Sequence, residues 1–185
     1  MPEDIDVTRI AGNAPDHVKS FLADTSFFYE YAHTLDGVTG PIFGESIMKR
    51  IVVTEVSVEK KAEEPRKLEG RVVCEVTVED DMINGGGNIH GGCSAFLIDV
   101  CSTMALMALS MTDKGEAHRS VSQSLNVVYH SPAGLGDKLR LVNTTITLGG
   151  RAQSARTEIW NVTHHRLVSS GVHIKMQPSS PKANL

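Results

Sequence analysis

The chain has 185 residues and a formal net charge of −4 at pH 7, and 41% of its residues are hydrophobic. These values are typical of one folded domain with short extensions, and they exclude a chain that is disordered throughout. The negative charge argues against a protein that binds nucleic acid through bulk positive charge. Its three cysteines form no CxxC pair and are too few for a disulfide framework. We therefore expect a reducing compartment.

The two ends of the sequence bear on localisation. Residues 1–6 contain neither a basic nor an apolar segment, and they are too acidic for a typical mitochondrial transit peptide. We therefore expect a cytoplasmic protein. The alternative is a peroxisomal one, because the sequence ends in Ala183-Asn184-Leu185. This tripeptide resembles a degenerate form of the Ser-Lys-Leu peroxisomal address.

The first 46 residues predict a helical extension ahead of the main domain. Glycines and a proline predict a loop over residues 34–46. Before that loop, apolar side chains recur among polar ones, which indicates one or two short amphipathic helices. These side chains are Val18, Phe21, Leu22, Phe27, Phe28 and Tyr31. We predict the main domain over residues 47–176 and a flexible tail over residues 177–185.

A long apolar segment, residues 91–111, separates two groups of predicted strands. Alternating side chains predict two strands before it, beginning near Ile47, and four after it. The four later strands span about 120–130, 137–148, 152–162 and 167–176, and their short connections indicate an antiparallel meander. The apolar segment predicts a buried helix, since Asp99 near its middle argues against a membrane span. A curved antiparallel sheet can wrap such a helix. We therefore predict an α+β, hot-dog fold whose open sheet edge favours a dimer.

Asp99 is the one formal charge between Ile89 and Thr112. A lone carboxylate in an apolar helix is costly unless it is paired or used. It either reaches solvent or caps a backbone group, or it serves as a general base. The glycine-rich segment from Asn84 to Gly92 precedes the helix, and free N–H groups at a helix N-terminus can stabilise negative charge on oxygen.

Other kinds of site find less support in the sequence. The glycine run matches neither the dinucleotide fingerprint nor a phosphate loop, and there is no Gly-x-Ser-x-Gly elbow. Cys93 and Cys101 lie on the apolar helix and are interpreted as small core residues. His90, Asp99 and the pair His164-His165 lack metal-ligand spacing, so we predict no metal site.

Together these residues resemble the hot-dog acyl-CoA thioesterases of the PaaI and thioesterase-superfamily-member-2 type. Asn84, His90-Gly91-Gly92 and Asp99 match the motif Asn-x5-His-Gly-Gly-x6-Asp. The segment from Ser122 to Ala133 reinforces the match, which covers roughly residues 47–176. The resemblance implies hydrolysis of an acyl-CoA to free acid and CoA by a carboxylate-activated water, without a cofactor.

The resemblance also implies a role for each matching residue. Asp99 would act as general base or nucleophile on a thioester bound by the partner subunit. Gly91 would donate its backbone N–H to the thioester oxygen, while His90 and Asn84 would hold the carbonyl or the water. Ser122 would orient the water, with Ser120 and Ser124 as competitors for that role. Contacts to CoA are expected from two groups of residues: His130, Ser131, Pro132 and Ala133, and the turn Gly149, Gly150 and Arg151.

Two other functions are alternatives to the thioesterase. A hot-dog hydratase or dehydratase would resemble an Asp-x4-His pattern, but the residue five positions after Asp99 is Met104. A non-catalytic acyl-CoA binder needs no general base, so the presence of the whole motif argues against it. We expect medium- to long-chain fatty acyl groups, with aromatic acyl groups as the alternative. Met104, Leu106 and Met107 are predicted to line the acyl tunnel of a homodimer or a dimer of dimers.

Overall fold

The computed structural model describes residues 5–25, 42–117 and 120–177. Phe27, Phe28, Tyr31 and the C-terminal tripeptide therefore lie outside the described residues. The helices are α1 (Asp16–Ala23), α2 (Glu45–Met48) and α3 (Gly91–Lys114), with single 3-10 turns at Val7–Arg9 and Asp80–Met82. The strands are β1 (Val52–Lys60), β2 (Leu68–Thr77), β3 (Val121–Tyr129), β4 (Lys138–Leu148), β5 (Ala152–Asn161) and β6 (Arg166–Met176).

The six strands form one antiparallel sheet in the order β1-β2-β4-β5-β6-β3, and α3 packs against its inner face. Two glycines of the sheet allow this close packing. A Cβ at Gly70 would lie 2.7 Å from the carbonyl oxygen of Ala105, and one at Gly171 would lie 3.1 Å from Ile98. A curved sheet around one long helix confirms the predicted hot-dog fold.

The apolar composition of α3 is explained by its burial. By length and composition α3 would be able to cross a membrane, but its side chains are mostly buried in the core of this domain. Met104, Leu106 and Met107 belong to that core. Because they are already buried within one subunit, little of their surface is available to the acyl tunnel predicted between two subunits, and that tunnel stays a prediction. The half-buried side chains of α3 include Ala95, Phe96, Asp99, Val100 and Thr103.

Three predicted boundaries or connections were wrong. β1 begins at Val52, because Ile47 and Met48 belong to the short helix α2 and are buried in the core. The helix α3 continues to Lys114, three residues beyond the prediction, and ends at Gly115 with φ +75°. The four later strands are not one meander, since β3 pairs with β6 instead of β4.

The displaced position of β3 follows from the loop that leaves it. Residues 130–137 pass across the start of α3, where the Ile89 N–H donates to the Ala133 carbonyl at 2.7 Å and Asn88 bridges to Gly134. The chain thus crosses from the edge strand β3 to β4 in the middle of the sheet. The strands β4, β5 and β6 do form the predicted meander.

The two edges of the sheet differ. The N-terminal segment covers β1: Ala11 exchanges backbone hydrogen bonds with Thr54 and Val56, and the Asn13 side chain bonds both backbone groups of Val58. Within the described residues β3 pairs on one side alone, and it exposes Val121, Val128 and Tyr129. An edge of this kind is suited to pairing with another strand.

Candidate active site

The loop before α3 is organised by the side chain of Asn84. Its amide oxygen accepts hydrogen bonds from the backbone N–H groups of Gly86 at 2.9 Å and Asn88 at 3.3 Å. Gly87, at φ +74°, closes the turn by donating to the Asn84 carbonyl. Because the amide oxygen is used inside the loop, the Nδ2 group of Asn84 is the part able to donate to a ligand.

His90 caps the N-terminus of α3. Its Nδ1 accepts from the Gly92 N–H at 2.9 Å, so a neutral His90 carries its proton on Nε2 and presents a donor there. Gly91 is the first residue of the helix, and its N–H has by position no acceptor within the helix. Two donors at one helix start can stabilise an anionic oxygen.

A cavity of about 440 Å³ opens beside these donors. The Tyr129 hydroxyl donates to the Gly91 carbonyl at 3.0 Å, and a Cβ at Gly91 would lie 3.2 Å from that hydroxyl. Glycine therefore lets the tyrosine approach the main chain at this point. The cavity lining includes Asn84, Gly91, Tyr129, His130, Ser131 and Pro132.

The four residues of the loop after β3 that were predicted to contact CoA are placed differently: His130, Ser131 and Pro132 line the cavity, whereas Ala133 is buried behind it. His130 Nε2 lies 2.9 Å from the Ser170 hydroxyl, and the Ser131 hydroxyl donates to the Leu167 carbonyl. Ala133 is fully buried, and its carbonyl accepts from Ile89. Ala133 thus holds the loop against the start of α3 rather than facing the cavity.

Asp99 is held by β3 and β6. Its Oδ1 accepts from the Ser122 hydroxyl at 3.0 Å and lies 3.1 Å from Nε2 of His173, while 41% of its side chain is exposed. A bulge between Ser122 and Ser124 turns the first serine towards the helix. Of the three candidate serines, Ser122 is therefore the one in contact with the carboxylate.

His173 and Lys175 lie behind Asp99, and the sequence analysis missed both. His173 is fully buried, with its Nδ1 2.8 Å from the Ser102 hydroxyl. Burial, reinforced by the charge of Lys175 and opposed by Asp99, lowers the pKa of His173 to about 4. Lys175 is buried too, which lowers its pKa, while Asp99 favours its charge. Polar side chains at core-facing positions of β6 were the available signal.

The proton on His173 can be assigned from its neighbours. Nε2 has Asp99 Oδ1 at 3.1 Å but not in the alignment of a good hydrogen bond. If Nε2 carried no proton, its lone pair would point at the carboxylate oxygen and the two would repel. If Nε2 carries the proton, the N–H is attracted to the carboxylate. The Ser102 hydroxyl has one proton and two acceptors within reach, Nδ1 of His173 at 2.8 Å and the Asp99 backbone carbonyl at 3.1 Å. Donation along the shorter contact, to Nδ1, gives the attractive arrangement and leaves His173 neutral with its proton towards Asp99.

The lowered pKa of His173 predicts how stability depends on pH. An unfolded histidine binds a proton near pH 6.5, but His173 in the folded protein binds it near pH 4. Between these values the unfolded state binds more protons, so stability falls as the pH falls. We expect a slope of up to about 1.4 kcal/mol per pH unit.

Urea unfolding of the wild type and of His173→Asn between pH 4 and 7 measures this slope. The variant should lose most of it, and the matched exposed-histidine variant His165→Asn should retain it. Equal slopes in wild type and His173→Asn would contradict the assignment.

One subunit keeps the predicted catalytic residues in two groups. Asn84, His90 and Gly91 lie at the start of α3. Asp99, which Ser122 contacts, lies eight residues after Gly91 on the same helix, a distance of about 12 Å at 1.5 Å per residue. The turn Gly149-Gly150-Arg151 is exposed and connects the far end of β4 to β5. It is therefore remote from the loop 130–133, which leads into the other end of β4.

Comparison with known proteins identifies the family. Residues 86–168 match the thioesterase superfamily. Over 106 residues the chain is 34% identical to acyl-coenzyme A thioesterase 13 of Homo sapiens, which covers 57% of this chain and 72% of the human protein. The chain belongs to the thioesterase superfamily. The predicted family and the class of thioester hydrolase are thereby confirmed.

Solved thioesterase structures share the fold. The crystal structure of zebra fish thioesterase superfamily member 2 has a TM-score of 0.61 at 25% identity, and the match covers 83% of this chain and 98% of that one. The protein of the same name from Mus musculus has a TM-score of 0.52 at 31% identity, with 58% and 81% coverage. Phe43 and the other described residues before Gly86 lie outside the part matched to the thioesterase superfamily.

Proposed function

We propose that the protein hydrolyses acyl-CoA thioesters to a free acid and CoA. The observation that carries the proposal is the Asp99 carboxylate, partly exposed and fixed by Ser122 and His173 in a member of the thioesterase superfamily. The relative named acyl-coenzyme A thioesterase 13 supports CoA esters as the substrate class.

The reaction follows from the two groups of residues. Oδ1 of Asp99 is held by Ser122 and His173, which leaves Oδ2 to accept a proton from a water molecule. That water attacks the thioester carbon while Asp99 takes its proton. The negative charge that develops on the thioester oxygen is stabilised by the two donors at the start of α3, the Gly91 N–H and Nε2 of His90, and by Nδ2 of Asn84. Collapse of the intermediate breaks the C–S bond, and the CoA thiolate takes the proton from Asp99.

A dimer paired along β3 would unite the two groups. If β3 of two subunits paired antiparallel about Leu125 and Asn126, Ser122 of one subunit would lie opposite Tyr129 of the other. Tyr129 contacts Gly91, and Ser122 contacts Asp99, so each site would draw one group from each subunit. The exposed apolar side chains of β3 support this arrangement.

The same dimer would explain the separation of the two predicted CoA-binding segments. Ala152 follows the turn Gly149-Gly150-Arg151 and pairs with Met176, which in turn pairs with Val121 at the start of β3. Antiparallel pairing of β3 would therefore move this turn towards the loop 130–133 of the other subunit. Arg151 would there supply a cation for the phosphates of CoA.

The proposed activity is tested by thiol release from a series of CoA esters, from acetyl-CoA to palmitoyl-CoA plus phenylacetyl-CoA. We expect hydrolysis with the highest kcat/KM for medium- to long-chain fatty acyl groups, since the half-buried side chains beside Asp99 on α3, Ala95, Phe96 and Val100, are apolar. Binding of the series without any release of CoA would support the acyl-CoA binder instead.

A further inference from the structure

The face of α3 that carries Asp99 also carries an aromatic ring. Phe96 precedes Asp99 by three residues, and side chains at this spacing are neighbours on a helix surface, with Cβ atoms about 5–6 Å apart. Both side chains are half-buried, as are Ala95 and Val100 beside them. A group bound at the Asp99 carboxylate therefore meets the Phe96 ring within one helical turn.

The Phe96 ring is held in place by the segment that precedes α2. Phe43 packs edge-to-face against it, with ring centroids 5.3 Å apart and an interplanar angle of 84°. The next residue, Gly44, has φ +75°, and a Cβ there would lie 2.2 Å from Cζ of Phe96. The backbone thus presses against the ring at a position that a larger residue cannot occupy without displacing it.

We propose that Phe96, fixed by Phe43 and Gly44, is a specificity-determining residue that selects unbranched acyl chains. This inference rests on the proposed function. An extended polymethylene chain is narrow and gains apolar contact along the ring face. A branch or a second ring close to the thioester carbon has to displace Phe96, whose other side is blocked by the Gly44 backbone.

The position of Phe43 supports the assignment to substrate. Its side chain is 78% exposed although it contacts Phe96, so apolar surface remains beside the carboxylate for an acyl chain to cover. Phe43 and Gly44 lie outside residues 86–168, the part matched to the thioesterase superfamily. The selectivity is therefore attributed to contact between the segment before α2 and Phe96, a residue within the matched part of the chain.

The test compares kcat/KM for octanoyl-CoA and phenylacetyl-CoA. Phe96→Ala should raise the ratio of phenylacetyl-CoA to octanoyl-CoA hydrolysis by about tenfold or more, since one methylene group in a hydrophobic pocket is worth roughly 10–200-fold in kcat/KM. Phe43→Ala should change the ratio in the same direction by less, because it frees the ring without removing it. Trp160→Phe, on the outer face of the sheet, is the matched aromatic control and should leave the ratio unchanged.

The outcomes separate the two proposals. If the wild type releases CoA from neither ester nor from any other of the series, the proposed function fails. If the wild type is active but folded Phe96→Ala and Phe96→Leu keep its ratio, the specificity assignment is overturned while the function stands. A change in oligomeric mass for Phe43→Ala with an unchanged ratio also overturns it, since the ring pair would then serve the subunit interface. Phe96→Leu is included because it retains more of the packing than alanine.

Discussion

Replacing Asp99 by asparagine is expected to reduce kcat by ~10²–10⁴, the usual cost of losing a general base. Asparagine has nearly the same shape, and its amide oxygen can still accept from the Ser122 hydroxyl, which bonds Oδ1 of Asp99 at 3.0 Å. The amide cannot take a proton from water at neutral pH, so the chemical step should fail while the fold remains. Because the Asp99 carboxylate also favours the charge of the buried Lys175, a moderate loss of stability is expected beside the loss of activity.

The measurement is steady-state release of CoA, with thermal unfolding and size-exclusion chromatography as checks of the fold. Asp113→Asn is the matched control, because it makes the same substitution on an exposed carboxylate of the same helix. Its kcat should equal that of the wild type. Ser122→Ala should lose less than Asp99→Asn, since it removes one contact to the base and not the base itself. Retention of more than about a tenth of wild-type kcat by Asp99→Asn contradicts a general-base role.

Local alternation of side chains was sufficient to locate the strands. Each of the four later strands lies within about two residues of its predicted span, because period-two patterns report directly which face is buried. The pairing of β3 could not be read in the same way. Strand order depends on where the loop 130–137 crosses, and that is decided by its contacts with Ile89 and Asn88. The short helix α2 was missed because four residues are too few to show a helical period.

Some residues of the candidate site could likewise be identified from the sequence, and others could not. Asn84, His90, Gly91 and Asp99 lie within 16 residues of one another, so a motif could reveal them. His173 lies 74 residues after Asp99, and the two side chains meet only when α3 packs against the sheet. The sequence does show a polar residue at a core-facing position of β6, but it does not show that this residue contacts Asp99. Long-range contacts of this kind need the fold before the chemistry can be assigned.

Mixing two inactive variants is expected to restore activity if each site draws on two subunits. His90→Ala removes the cap and donor at the start of α3, and Asp99→Asn removes the base. In a dimer paired along β3, a mixed dimer has one site with both defects and one with neither. Random exchange of equal amounts makes half of the dimers mixed, so the mixture should recover about a quarter of the wild-type activity.

Each variant alone, carried through the same unfolding and refolding, should stay inactive. Exchange is verified independently by a tag on one variant and co-purification of the other. If each site were built within one chain, His90 and Asp99 of the same subunit would be needed. No chain in the mixture has both residues intact, so activity would not return. The roughly 12 Å of helix between Gly91 and Asp99 is too long for one water to bridge. Failure to recover activity despite verified exchange would therefore contradict the shared site and, with it, the pairing of β3 that unites the oxyanion donors with the base.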